Sequence, residues 1–216
     1  MKYDLVIFDL DGTLLDTLDD LKNAVNHVVA KRGAPARSRE EVRLAIGNGL
    51  TKLLARSLPA GTPDGEIAEA VSDFKAFYNS HLDAETRPYP GVIELMTSLR
   101  EAGLKIGINS NKYDAAVKSL CENHFRGLYE RAFGESAETP KKPNPAAANR
   151  IMVELGVEKA RALYVGDSAV DLETARNADL DAAWVSWGFR TRAEMGERGE
   201  VPAFDTAEEL RAFLLD

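Results

Sequence analysis

Leu5-Val6-Ile7-Phe8-Asp9-Leu10-Asp11-Gly12-Thr13 is an apolar run that stops abruptly on two acids and a glycine. Apolar residues without polar alternation fit a strand buried on both faces, the habit of parallel sheets. Working outward, residues 104–108, 162–165 and 182–185 repeat the pattern. They end at Asn109-Ser110-Asn111, Gly166-Asp167-Ser168 and Ser186-Trp187-Gly188. Residues 131–133 read as a further short strand. Helical spacing lies between the runs. Val92, Leu95, Met96 and Leu99 share one face, and Gly103 closes it. Asn144 as N-cap and Pro145 in the first turn open a helix through Ile151 and Leu155 to Gly156. Further helices cover about 172–178 and 207–215. Alternating strand and helix predicts an α/β fold with a doubly wound parallel sheet.

Residues 14–87 break the alternation, with no convincing strand and four amphipathic stretches. Leu18, Leu21, Val25, Val28 and Val29 mark the first. Ser38 with Glu41 forms a capping box ahead of Val42 and Ile46. Leu50, Leu53 and Leu54 mark the third, and Ile67, Val71, Phe74 and Tyr78 the fourth. The expected organisation is an α/β core of residues 1–13 and 88–216, interrupted by a helical cap of residues 14–87.

Composition narrows the function. The 216 residues carry 27 Lys+Arg against 35 Asp+Glu, a formal net charge of −8. Such a chain is a poor partner for nucleic acid or an anionic membrane, so any anion must be bound locally, by a few aimed donors or a metal. The single cysteine, Cys121, allows no intrachain disulfide. No apolar stretch approaches the roughly 18 residues of a membrane span. The N-terminus lacks the pattern of a secretory leader. The expectation is a cytoplasmic protein.

Ligands of open α/β sheets bind beyond the carboxyl ends of the strands, where the polar clusters fall. Asp9 and Asp11, two apart on an extended chain, point to the same side, and such a pair suits a divalent cation or a division into nucleophile and proton shuttle. Gly12 lets the backbone come close to a ligand. The same residues would also make an ordinary acidic turn. Asp167 and Asp171 lie one helical turn apart and offer hard oxygens suited to Mg²⁺, or simply complement a helix dipole. A hydroxyl from Ser110 and a backbone N–H at Asn111 could hold phosphate oxygens or cap a helix. In Lys141-Lys142-Pro143-Asn144-Pro145, a lysine held by proline-stiffened backbone, Lys141 or Lys142, could neutralise developing negative charge or sit in solvent. Together these residues make up a set for phosphoryl transfer.

At this point the sequence resembles the haloacid dehalogenase superfamily of aspartate-nucleophile phosphatases. The carrying residues are Asp9-Leu10-Asp11-Gly12-Thr13, Ser110, Lys142 before Pro143-Asn144-Pro145, and Gly166-Asp167-Ser168-Ala169-Val170-Asp171. Ile46-Gly47-Asn48-Gly49-Leu50 and Val185-Ser186-Trp187-Gly188-Phe189 are similar to its phosphoglycolate phosphatase-like subfamily. The resemblance implies a Rossmann-like core with an inserted α-helical cap. It implies a phosphomonoester hydrolase in which Asp9 attacks phosphorus, forming an aspartyl-phosphate, and Asp11 acts as acid and then base. Mg²⁺ would be held by Asp9, the Asp11 backbone carbonyl and Asp167, with Asp171 a ligand or one step removed. Ser110, Asn111, Gly12 and Thr13 would bind phosphate, and Lys142 would steady Asp9. The substrate would be a small phosphorylated metabolite and the protein a monomer or homodimer. A sugar-phosphate mutase of the β-phosphoglucomutase type, or a pyrophosphatase or nucleotidase, is possible on the same fold. The dehalogenase reaction has no use for Asp11, Asp167 and Asp171. A phospho-receiver domain would place its acid after the third strand and carry no insert. Asp179 stands where many relatives have glycine, at an expected left-handed helix end that aspartate tolerates. His27, His81, His124 and Cys121 read as surface or packing residues. Trp187, Phe189 and Arg190 could line a subunit or cap contact.

Overall fold

A computed structural model describes residues 1–196 and 201–216. The chain begins with β1 (Leu5–Phe8) and β2 (Leu15–Asp16), followed by four helices: α1 (Leu18–Lys31), α2 (Arg39–Ala45), α3 (Leu50–Ser57) and α4 (Asp64–Ser80). Next come β3 (Arg87–Pro88), α5 (Val92–Glu101), β4 (Lys105–Tyr113), α6 (Asp114–Phe125), β5 (Arg131–Glu135) and α7 (Ala146–Leu155). The remainder is β6 (Ala162–Gly166), α8 (Ala169–Asn177), β7 (Asp181–Val185), α9 (Arg192–Met195), β8 (Ala203–Phe204) and α10 (Ala207–Leu215). Two units result: Met1–Asp16 with Pro88–Asp216, and Thr17–Arg87.

The first unit holds a six-stranded sheet in the order β5-β4-β1-β6-β7-β8, all pairs parallel. Its strands are added on one side of β1 up to β5 and on the other from β6 onward, so the winding reverses around β1. That reversal is where doubly wound folds open a crevice at the strands' carboxyl ends. All four β1 side chains are buried, as the apolar run requires. Leu5 and Ile7 pack with Tyr164 of β6 and with Ile151, Met152 and Ala175 of α7 and α8. Each such fully buried aliphatic side chain contributes about 1.5–3 kcal/mol.

Local details differ from the sequence reading in several places. β4 continues through Asn109-Ser110-Asn111-Lys112 to Tyr113, and its register with β5 shifts between Asn109 and Tyr113. Ser110 and Asn111 are therefore on a strand end, and the next helix starts only at Asp114. The helix after the prolines starts at Ala146 with Pro145 in the cap position, while the Asn144 side chain accepts the Ala146 N–H at 2.9 Å. β2 and β3, two residues each, flank the helices where no strand was expected. Asp179 has the left-handed backbone anticipated for it, with φ 57°.

The second unit is built of the four helices α1 to α4. Leu21, Val25, Val28 and Val29 of α1 are buried along with Leu54, Phe74 and Tyr78. The Ser38–Glu41 capping box forms at the start of α2. Phe77 stacks between His27 and His81 at ring separations of 4.3 and 4.1 Å, so both histidines pack. Asp20 is buried at the start of α1 and accepts hydrogen bonds from the N–H groups of Glu85 and Thr86 and from the Thr86 hydroxyl. Among the described residues no helix is long and apolar enough to cross a membrane.

Candidate active site

The carboxyl ends of β1 and β6 deliver buried acids. Asp9 follows β1, Asp167 follows β6, and Asp171 sits in the first turn of α8. Ligand oxygens of all three lie within 4.8 Å of one another. Lys142 reaches them from the loop before α7, with Nζ at 2.7 Å from Asp9 Oδ1 and 2.7 Å from Asp171 Oδ1. The other Asp171 oxygen accepts from the Ser168 N–H at 3.0 Å and its hydroxyl at 2.5 Å. Asp167 Oδ2 accepts the Phe189 N–H at 2.6 Å. Lys142 is itself held, because the Asn111 side chain accepts its N–H at 2.6 Å and donates to its carbonyl at 3.3 Å. Lys141, its neighbour, is exposed.

Asp11 is not in this cluster. Its carboxylate accepts from Lys112 Nζ at 2.8 Å and, at the long distance of 3.5 Å, from the Ser110 hydroxyl. The same-side rule for residues two apart holds on extended backbone, and the chain stops being extended here. Leu14 and Leu15 N–H groups both turn back to the Leu10 carbonyl, and Gly12 is left-handed at φ 88°. Gly12 and Thr13 spend their N–H groups on the carbonyls of Leu15 and Leu10. The Asp11 carboxylate thus lies apart from the grouped acids, against the expectation that it faces one point with Asp9. Lys112 carries no role in the sequence reading. Its signal was faint: one lysine two residues past Ser110, in a stretch that resembles a helix cap.

Electrostatics separate the acids. Burial raises the Asp9 carboxyl well above the usual range, Lys142 opposes that, and the Asp171 and Asp167 charges add to it. Burial, then the Asp171 charge, pushes Asp167 up to about 7, against the Phe189 hydrogen bond. Burial lowers Lys142, but the Asp171 and Asp9 carboxylates outweigh it and hold the lysine well above its ordinary value. Three buried carboxylates around one buried ammonium leave a deficit of positive charge that protons or a cation must fill. The oxygen donors, their mutual spacing and that deficit fit a hard divalent cation.

The sequence profile of haloacid dehalogenase-like hydrolases matches residues 6–185, and the chain belongs to that family. Its activity is of the phosphatase kind, as in its relatives. Phosphoglycolate phosphatase 1 of Pseudomonas aeruginosa is 33% identical over 213 residues, covering 95% of this chain and 78% of that one. A solved structure from Lactobacillus delbrueckii subsp. bulgaricus, whose proposed assignment is phosphoglycolate phosphatase, superposes with a TM-score of 0.94 at 33% identity, covering 100% and 99% of the two chains. Rhodobacter sphaeroides CbbY in complex with phosphate superposes with a TM-score of 0.77 at 28% identity, covering 96% of each.

Proposed function

We propose that this chain is a Mg²⁺-dependent phosphomonoesterase of the cytoplasm, acting on a small phosphorylated acid, phosphoglycolate, through an aspartyl-phosphate. The observation that carries the reading is the separation of the two aspartates of the first motif onto different lysines. Asp9 leans on Lys142 inside the acidic cluster, while Asp11 stands outside it with Lys112. One carboxylate is thereby placed to attack and the other to move protons. An oxygen of Asp9 attacks phosphorus and the bond to the leaving alkoxide breaks, while Asp11 gives that alkoxide a proton. Asp11 then removes a proton from water as its oxygen attacks the phosphorus of the aspartyl-phosphate. The bond to Asp9 breaks and inorganic phosphate leaves. Lys142 holds the Asp9 oxygen and offsets the charge of the transferring group. Asp9, Asp167 and the Asp11 carbonyl would hold the cation, which supplies Lewis-acid stabilisation of the phosphoryl oxygens. Asp171, its oxygens already engaged by Lys142 and Ser168, orients the lysine. Ser110 supplies a hydroxyl to the phosphate.

The test is phosphate release from phosphoglycolate, sugar phosphates and bisphosphates, nucleotides and pyrophosphate, each with Mg²⁺ and with EDTA. Phosphoglycolate is expected to have the highest kcat/KM. Asp9→Asn should lower turnover by at least about a thousandfold with the fold intact. An Asp9→Asn variant as active as wild type would remove the nucleophile assignment. Preference for a bisphosphate or a nucleotide would move the substrate and keep the chemistry, and isomerisation without phosphate release would make the chain a mutase.

A further inference from the structure

The segment after β7 has no step in the proposed reaction, yet it meets the nucleophile loop and Asp167 at three points. The indole N–H of Trp187 donates to the Thr13 carbonyl at 3.0 Å. The Phe189 N–H donates to Asp167 Oδ2 at 2.6 Å. Gly188, between them, has no room for a side chain, since a β-carbon there would strike the Gly12 carbonyl oxygen and the Asp167 side chain. The fit is reciprocal: a β-carbon on Gly12 would run into the Asp167 carboxylate and sit 3.0 Å from the Phe189 ring.

The turn is tied down from outside at few points: the Tyr89 N–H donates to the Leu14 carbonyl at 3.1 Å, and Lys112 Nζ reaches the Asp11 carboxylate at 2.8 Å. Within the turn the bonds are local, from Gly12 to Leu15 and from Leu14 and Leu15 to Leu10, and none of these reaches the Thr13 carbonyl. The Thr13 N–H reaches Leu10 only at 3.3 Å, and its buried hydroxyl has no hydrogen-bond partner among the described residues. The Trp187 bond is a fixed point contributed to this turn from another strand end, 174 residues away in sequence. From these contacts we infer that Trp187-Gly188-Phe189 is a brace for the reaction centre. Trp187 is a positioning residue that fixes the turn carrying Asp11, and the Phe189 amide aims Asp167. The predicted effect on turnover rests on the phosphatase reading above; the brace itself does not.

Trp187→Phe keeps most of the ring and removes the donor. Losing one orienting hydrogen bond should lower kcat about tenfold while KM stays within about twofold. In the same variant, amide hydrogen exchange at Gly12–Leu15 should accelerate, with the α7 amides unchanged. Unchanged exchange at Gly12–Leu15 overturns the brace, whatever happens to kcat. Faster exchange with wild-type kcat overturns the positioning role. If the wild type itself releases no phosphate, the reaction reading falls and the exchange measurement still tests the brace. Should Trp187→Phe not fold, benzothienylalanine at position 187 preserves the bicyclic shape without the N–H and is measured the same way.

Discussion

Each unit buries carboxylates, and they are treated differently. Asp20, in the helical unit, receives hydrogen bonds from three neutral donors of Glu85 and Thr86. Its charge is spread over backbone and hydroxyl dipoles, and it joins the first helix to the end of the insert. Asp9, Asp167 and Asp171, in the α/β unit, face one another within 4.8 Å, and one lysine serves two of them. The difference shows how to tell a structural buried acid from a functional one. The first has enough local donors. The second is left short of positive charge, and a ligand completes it.

The sharpest way to break this contrast is to remove the shared cation. Lys142→Met should cost about 3–5 kcal/mol in metal-free protein, because it strands buried carboxylates, and should nearly abolish turnover. Denaturant titration with and without Mg²⁺ checks it, and the loss should shrink with the metal. A second measurement varies pH without metal. Asp167 has an ordinary value of 3.8 and is raised to about 7 in the fold. Between those values the native state holds a proton that the unfolded chain has released. Stability should therefore fall as pH rises through this window, by up to about 1.4 kcal/mol per unit, and Mg²⁺ should flatten or reverse the slope. A rise in metal-free stability across the window would contradict the charge deficit. The smallest effect is expected in the helical unit. Asp20→Ala should cost about 1–3 kcal/mol without Mg²⁺ rescue, and kcat per folded molecule should stay near wild type. Mg²⁺ rescue of Asp20→Ala would erase the distinction.

Much of the α/β unit was legible because its strands are doubly buried and announce themselves as apolar runs closed by polar residues. Asp9, Asp167 and Asp171 could be singled out since strand ends leave few places to go, while the proline-stiffened loop left two lysines and the family resemblance chose Lys142. What escaped depended on three-dimensional contact. Lys112 pairs with Asp11 only because β4 runs on through a polar stretch that looks like a loop. Trp187 looked like a subunit or cap contact, and its partner Thr13 lies at the other end of the sequence. Asn111 was read for its backbone, while its side chain fastens Lys142. The two-residue strands β2, β3 and β8 are shorter than any periodicity can reveal.

The position of β1 also sets an order of assembly. It precedes both its sheet partners in the chain, since Leu5 pairs with Lys105 on one side and Ala162 on the other. Nascent β1 must wait for most of the chain, whereas the helical unit closes its contacts within Thr17–Arg87. During that wait a very apolar strand lacks its sheet partners, so the central strand that ends at Asp9 is exposed to misassembly during synthesis.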